Sequence, residues 1–246
     1  MGYLSYFLFP WGILLQALAV IHFIRRRPDT YWLWIIIVLG PLGALVYLVV
    51  EAAPDVRLLG GTFQGFSRRK RIQELERLIL DNPAAGNYEE LGILLLDERN
   101  YLRAKECFDK AISSRTDHAD PFYRRAICEL ELGESAAARA DLERVIGFER
   151  KYDYQRALGL LAHAYAKTGE NEKAAALFRE ATETSTLSET QLNYAAFLAS
   201  QGKTAEAREM AQTVLRKKAT LPGYLKRRER PWFRKAQGLL KQLPAA

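Results

Sequence analysis

Cysteine and histidine are scarce in this chain, and their scarcity excludes several kinds of site. The 246 residues include two cysteines, Cys107 and Cys128, and three histidines, His22, His118 and His163. Two cysteines on helical segments give neither a disulfide framework nor a CxxC metal or redox site. The patterns GxxxxGK[ST], GxGxxG, HExxH and GxSxG are also missing. We therefore expect a protein that is not an enzyme, with no catalytic residue, no metal, no cofactor and no small-molecule substrate.

Charge is missing from two long segments near the start of the chain. Residues 3–24 and 31–50 contain no charged side chain. Each segment is long enough to cross a hydrocarbon core of roughly 30 Å. Aromatic residues near the segment ends are typical of interfacial anchors: Tyr3, Tyr6, Trp11, Tyr31, Trp32 and Trp34. The sequence therefore predicts a transmembrane helical hairpin over residues 1–50, with spans 3–24 and 31–50.

Two other interpretations of the first segment are a cleaved signal peptide and a buried pair of core helices. A signal peptide begins with basic residues and ends with small ones. Here residues 1–9 contain no Lys or Arg, and the apolar run ends at Arg25, Arg26 and Arg27. The sequence thus favours a membrane hairpin over both alternatives.

The hairpin resembles the short N-terminal membrane module found ahead of cardiolipin synthases and other phospholipase D-like proteins. The matching residues are Arg25, Arg26, Arg27, Trp34, Gly40, Pro41, Gly43 and Tyr47. This resemblance implies an anchor and no activity. The phospholipase signature HxKxxxxD needs a lysine two residues after a histidine, and none of the three histidines has one.

Four sets of small or apolar positions recur together from residue 87 onward. Within each set the spacings are 34, 36 and 33 residues. The sets are Gly92, Ala126, Ala162 and Ala195; Ala104, Ala138, Ala174 and Ala207; Phe108, Leu142, Phe178 and Ala211; and Ala111, Val145, Ala181 and Val214. Such a period is typical of two antiparallel helices per unit, stacked into a solenoid.

The repeat resembles the tetratricopeptide repeat most closely at Tyr88, Leu91, Gly92, Leu95, Ala104, Phe108 and Ala111. Gly133, Gly169 and Gly202 stand where the first helix of a unit would end. The resemblance implies an all-α protein in which the hairpin is followed by a solenoid of about four repeats plus capping helices. The predicted parts are a linker at 51–67, a capping half-repeat at 68–84, repeats at 85–118, 119–154, 155–187 and 188–219, and a basic capping helix at 220–246.

First helices line a concave groove in this family, so the resemblance implies a binding surface for a protein or peptide partner. The predicted partner-binding residues are Glu89, Ile93, Tyr123, Ile127, Arg156, His163 and Lys167. Of these, Tyr123 and Ile127 offer apolar area, while Arg156 and Lys167 are expected to pair with carboxylates. The predicted function is a membrane-anchored scaffold or adaptor that holds a peptide of mixed character.

Basic residues support an alternative function. Lysine and arginine number 36 against 29 acidic residues, a net charge of +7. The predicted basic surface is Arg68, Arg69, Lys70, Arg71, Lys226, Arg227, Arg228 and Arg230. Such residues suit contact with anionic lipid at a membrane surface, or with nucleic acid.

Orientation in the membrane is left open by the basic residues. Arg25, Arg26 and Arg27 favour one side, whereas Arg57 and residues 68–71 favour the other. The lack of a disulfide pattern favours the reducing side. We therefore expect an integral protein of a bacterial inner (plasma) membrane with its solenoid in the cytoplasm.

Overall fold

The chain forms two compact units, residues 1–71 and 72–246. The computed structural model describes the backbone of residues 3–26, 29–52, 60–114 and 118–244, and the side chains of residues 12–24, 29–50, 67–114 and 118–244. Every regular element within this described backbone is helical. The predicted all-α fold class is therefore confirmed over that part of the chain.

The first unit contains helices α1 (Tyr3–Arg26), α2 (Tyr31–Val38) and α3 (Gly40–Tyr47), followed by a π-helix over Leu48–Ala52. The second predicted span, 31–50, is thus not one continuous α-helix. Gly40 has a positive φ of 57°, a conformation that favours glycine, and the following Pro41 has no N–H to donate to the preceding turn. These two residues separate α2 from α3.

The membrane hairpin predicted at residues 1–50 gains no support from the helices of the described residues. Within the described parts of the chain, no helix is both long enough and apolar enough to cross a bilayer. The side chains of six residues named for the hairpin lie outside the described residues: Tyr3, Tyr6, Trp11, Arg25, Arg26 and Arg27.

Polar groups of the first unit bond to other groups within it, whereas large apolar side chains are exposed. Gln16 Nε2 donates a hydrogen bond to the carbonyl oxygen of Ile36 at 3.1 Å, and His22 Nδ1 lies 2.9 Å from the Tyr47 hydroxyl. The buried core is Ala19, Trp32, Ile36, Ala44 and Tyr47. More than half of the surface is exposed for Leu18, Ile24, Trp34, Val38, Leu42 and Val49. Over residues 12–24 and 29–50 the unit therefore has an apolar exterior.

Helix α4 (Gly60–Asp81) corrects the predicted linker. The linker was expected at 51–67 and the capping helix at 68–84, yet the helix begins at Gly60 and ends two residues before Pro83. Glycine weakens a helix by about 1 kcal/mol relative to alanine without forbidding it, and propagation from a formed helix is favourable. Residues 53–59 of the predicted linker lie outside the described backbone.

The second unit stacks helix pairs at the predicted period. Small residues are buried where the helices of a pair approach, as Ala126, Ala162 and Ala195 show. In the first pair, a Cβ at Gly92 would lie 2.8 Å from Phe108 Cε1, so this approach requires glycine. The pairs are α5 (Ala85–Asp97) with α6 (Tyr101–Ser114), α7 (Asp120–Leu132) with α8 (Ser135–Phe148), α9 (Arg156–Lys167) with α10 (Asn171–Thr184), and α11 (Ser188–Ser200) with α12 (Thr204–Thr220).

The predicted turn glycines adopt the left-handed conformation. Gly133, Gly169 and Gly202 have φ values of 82°, 86° and 76°. Each follows the first helix of a pair, where a left-handed residue lets the helix end and the chain reverse. In the first pair this role falls to Arg99, with φ of 61°.

Arg125 occupies a position where the repeat usually has an apolar residue, and ion pairs compensate for its burial. Its Nε and Nη2 each donate to Asp141 at 2.7 Å, and its Nη1 donates to Asp109 at 2.8 Å. One arginine of α7 thereby joins the second helices of two successive pairs. A bidentate guanidinium–carboxylate contact of this kind is among the stronger side-chain interactions.

Helix α13 (Gly223–Gln242) covers the end of the solenoid. Phe233 and Ala236 are buried there together with Leu192 and Val214. Leu192 stands on the first helix α11, so this capping helix covers part of the inner surface of the last pair.

Candidate functional site

A cavity of about 490 Å³ lies among the first helices of the first three repeats. The end of α5, the first half of α7, the turn before α9 and the first residue of α9 form its walls. Its lining residues are Leu96, Asp97, Asp120, Tyr123, Arg124, Ile127, Tyr152, Asp153 and Arg156.

The turn between α8 and α9 places two of these residues in the cavity. Asp153, Tyr154 and Gln155 have φ values of 48°, 52° and 65°, three successive left-handed residues that are not glycine. Such a conformation is strained and persists only where the surrounding structure holds it. This turn belongs to the repeat whose spacing, Ala126 to Ala162, is the longest of the three. The additional residues of this repeat thus belong to a turn that contains Tyr152 and Asp153.

Tyr123 joins the walls through its hydroxyl. The hydroxyl donates a hydrogen bond to Asp153 and accepts one from Arg156 Nη1 at 3.0 Å. Arg156 also donates from Nε to Glu189 Oε2 at 2.6 Å. Burial raises the pKa of Tyr123 above its ordinary value, so the phenol stays protonated and keeps this donor role.

Asp120 is the second junction of the cavity wall. Its Oδ1 accepts a hydrogen bond from the Tyr152 hydroxyl at 2.8 Å, and its Oδ2 accepts one from Arg124 Nε. The rings of Tyr123 and Tyr152 meet edge to face with centroids 5.0 Å apart. These contacts within the chain fix the shape of the cavity.

The charge of the lining is unbalanced. Asp97, Asp120 and Asp153 supply three carboxylates against the two guanidinium groups of Arg124 and Arg156, an excess of one negative charge. Both guanidiniums lie within hydrogen-bond distance of carboxylates in the fold. The arrangement therefore favours a cationic guest over an anionic one.

Three of the predicted binding residues, Tyr123, Ile127 and Arg156, line this one cavity. The expected role of Arg156 changes, however, because its guanidinium already pairs with Glu189. The sequence also placed Leu96 and Asp97 on the floor of the groove, and it missed the other four lining residues: Asp120, Arg124, Tyr152 and Asp153. The long spacing of the second repeat could have pointed to the last two.

The other predicted groove residues lie elsewhere. Glu89 Oε2 is 3.8 Å from His118 Nε2, and Ile93 packs against the core of the first pair. His163 and Lys167 stand one turn apart on α9 and are not among the lining residues. Burial, assisted by the charges of Lys167 and Lys235, lowers the pKa of His163 to about 4.

The predicted basic surface is divided by the structure. Arg68, Arg69, Lys70 and Arg71 stand on α4, whereas Lys226, Arg227, Arg228 and Arg230 stand on α13. Of the second group, Lys226, Arg227 and Arg230 line one cavity, while Arg228 lines a different one with Lys217 and Glu229. Within the described residues, no group of three or more His, Cys, Asp or Glu is placed to hold a metal ion.

Comparison with protein families confirms the repeats. Residues 89–153 and residues 155–185 each match a family model described as tetratricopeptide repeat. The resemblance of residues 25–51 to the membrane module of cardiolipin synthases and phospholipase D-like proteins finds no support in the comparisons. No curated protein sequence matches this chain.

Solved structures share the fold at low sequence identity. YrrB, described as a TPR protein with an unusual peptide-binding site, is 20% identical, with a TM-score of 0.53 over 63% of this chain and 79% of its own. MamA from Desulfovibrio magneticus RS-1 is 19% identical, with a TM-score of 0.57 over 70% of this chain and 98% of its own. At these identities the likeness establishes a tetratricopeptide-repeat solenoid and nothing finer.

Proposed function

We propose that this chain is a scaffold or adaptor that holds a peptide segment of a partner protein in the cavity beside Tyr123. The observation that carries the proposal is the cavity itself. It measures about 490 Å³, and hydrogen bonds hold its walls, which stand mainly on first helices. A concave site of this volume with a few convergent polar groups is typical of ligand binding. The peptide-binding site in the description of YrrB supports the same use of the fold.

The lining indicates what the peptide carries. Leu96 and Ile127 offer apolar surface, and Asp97 is an exposed carboxylate at the rim. We infer that the bound segment presents a lysine or arginine beside an apolar side chain. Arg156 is not expected to select a peptide with a carboxylate, because its guanidinium is already paired with carboxylates of the chain.

Matched peptides test the proposal on the full-length chain. Two labelled peptides differ only in a central lysine or glutamate, and fluorescence polarisation measures their affinities. We expect the lysine peptide to bind more tightly. Asp97→Asn should weaken its binding about twofold to fivefold, because it removes the excess negative charge of the lining. Glu106→Gln, which removes an exposed carboxylate from α6 outside the cavity, is the control. Equal affinity for the two peptides would refute the inference.

We further propose that the first unit attaches the scaffold to a lipid bilayer. Its apolar exterior supports this, since large contiguous apolar surfaces are unusual in contact with water and mark membrane or protein contacts. The inward bonding of Gln16 and His22 fits the same environment, in which every polar group needs a partner.

Alkaline carbonate extraction of native membranes tests this attachment. We expect the full-length chain to stay in the pellet, and Leu18→Arg with Leu42→Arg to release it, because both side chains are exposed on the first unit. Leu80→Arg is the control, since Leu80 is equally apolar and 83% exposed on α4. Recovery of the unaltered chain in the supernatant would contradict the proposal.

A further inference from the structure

We propose that a second cavity, formed by the capping helix α13 and the end of α12, binds a compact ligand that carries several phosphate groups. The cavity measures about 400 Å³. Five cationic side chains line it together with Phe233: Lys218, Lys226, Arg227, Arg230 and Arg234.

The placement of these cations follows from helix geometry. Lys226, Arg227, Arg230 and Arg234 stand at positions i, i+1, i+4 and i+8 of α13, which lie on one side of a helix. Lys218 faces them from the last turn of α12. Among the described residues, no carboxylate lines this cavity; Glu229, the one acid of α13, lines another with Lys217 and Arg228.

These five cations differ from most arginines of the solenoid in having no partner. Within residues 67–114 and 118–244, none of the five side chains makes a hydrogen bond or an ion pair. By contrast, Arg125, Arg150 and Arg156 are each bonded to carboxylates. Five like charges around one cavity repel each other, so an anion that enters it relieves that repulsion.

Phosphate is the anion that this lining matches. Guanidinium groups bind phosphate oxygens through paired N–H donors, and lysine adds a point charge. Several phosphates on one small molecule carry enough negative charge to pair with five cations. A single carboxylate would leave most of them unpaired. Phe233, 4% exposed, forms an apolar base beneath the charges.

A compact ligand fits better than a nucleic-acid strand. Single strands are bound along extended basic grooves in which bases stack on exposed aromatic rings. Here the cations converge on one cavity, and the ring of Phe233 is buried. The same clustered phosphates occur in a polyphosphorylated lipid headgroup and in a soluble polyphosphate compound.

Calorimetric titration of the full-length chain with sodium tripolyphosphate tests the site. We expect saturable binding that Arg230→Gln with Arg234→Gln weakens at least about tenfold, the effect of losing two charged contacts. The control is Arg228→Gln with Lys241→Gln, which removes the same charge from exposed positions of the same helix outside the cavity. The control should bind as the unaltered chain does. Equal weakening in both variants, or no saturable binding, would overturn the proposal.

Thermal unfolding provides a second measurement. Tripolyphosphate should raise the unfolding midpoint of the unaltered chain and leave that of Arg230→Gln with Arg234→Gln unchanged. Without ligand, that variant should unfold at an equal or higher temperature, since it loses repulsion. A lower midpoint would show that the two arginines are structural and would refute the assignment.

Reconstituted vesicles distinguish the two sources of phosphate. The chain is placed in phosphatidylcholine vesicles with or without phosphatidylinositol bisphosphate, and the tripolyphosphate titration is repeated. If tripolyphosphate binds more weakly in the vesicles that contain phosphatidylinositol bisphosphate, the site belongs to a lipid headgroup. If its affinity is the same in both kinds of vesicle, the site belongs to a soluble compound. Single-stranded RNA provides the opposite outcome. If it binds at the same arginines and tripolyphosphate does not displace it, the proposal of a compact ligand is refuted.

Discussion

Gly159→Ala tests whether close approach of first helices holds the last two repeats together. Gly159 stands in α9, and Thr190 of the neighbouring helix α11 is the residue closest to it outside its own helix. An added Cβ would lie 2.5 Å from Thr190 Oγ1, 2.7 Å from its Cγ2 and 3.1 Å from its Cβ. Thr190 is 1% exposed, and a β-branched side chain has few rotamers with which to move away. The two helices must therefore separate.

The expected loss of stability follows from two opposing effects. Overpacking of this kind costs about 1 to 3 kcal/mol, while replacing a helical glycine with alanine returns about 1 kcal/mol. We expect a net loss of up to about 2 kcal/mol, at roughly 2 to 4 °C of melting temperature per kcal/mol, and a melting temperature below that of a glycine-to-alanine change without overpacking.

Thermal unfolding followed by helical circular dichroism measures this loss. Gly147→Ala is the matched control, because Gly147 stands in α8 with nothing within 4 Å of an added Cβ. It should be as stable as the unaltered chain or more so. If Gly159→Ala melts at the same temperature as Gly147→Ala, close packing at this glycine is not what holds the repeats.

Three other changes test the packing and the buried ionisable groups. Gly92→Leu should lower the free energy of unfolding by about 1 to 3 kcal/mol, measured by urea denaturation, because its added Cβ already meets the Phe108 ring at 2.8 Å. Burial raises the pKa of Glu129 from 4.5 to about 7, so the folded state holds a proton that the unfolded state releases, and stability falls as pH rises between these values. Glu129→Gln should remove that decline, and an unchanged pH profile would refute the assignment. Burial lowers the pKa of His163 from 6.5 to about 4, so stability falls as pH drops from 6.5 towards 4, and His163→Gln should flatten that fall in acid unfolding curves.

The repeat was predictable because its physics is periodic. A close helix pair needs a small residue at one position and a bulky apolar one sixteen residues later, so Gly92 with Phe108 and Ala162 with Phe178 recur in step. The left-handed turns were equally readable from Gly133 because few other residues adopt that conformation at low cost. Local constraints of this kind leave a direct record in the sequence.

Two other parts of the fold left a weaker record. Residues 60–67 have the glycine content of a linker, yet they continue the helix formed by the residues that follow. Residues 31–50 have an unbroken apolar composition, yet Gly40 and Pro41 divide them into separate helices. Composition describes the average character of a segment of many residues. A helix boundary depends instead on the conformation of one or two residues, so composition does not predict it.

The cavity shows which kind of site residue escapes a repeat pattern. Tyr123 and Ile127 could be placed on the inner side of the solenoid because they stand at fixed positions on a first helix. Tyr152 and Asp153 stand in a turn, where the repeat imposes no residue type, and only the longer spacing marked them. Arg156 was found, but its pairing with Glu189 of the next repeat depends on how two units stack and so could not be read from one unit.

The pairing of the cavity walls bears on how tightly a peptide can bind. The strained turn at Asp153 is held by the Tyr123 hydroxyl and by Arg156, so contacts within the chain itself order these side chains. Binding normally costs about 0.5 to 1.5 kcal/mol for each flexible side chain that becomes fixed. In the proposed peptide site, walls that are fixed in advance avoid that cost at Tyr123, Arg124 and Arg156. Tyr123→Phe tests this, since it removes the hydroxyl that joins Asp153 to Arg156 and keeps the ring. We expect weaker peptide binding with little change in melting temperature, and an unchanged affinity would show that the hydroxyl network does not prepare the site.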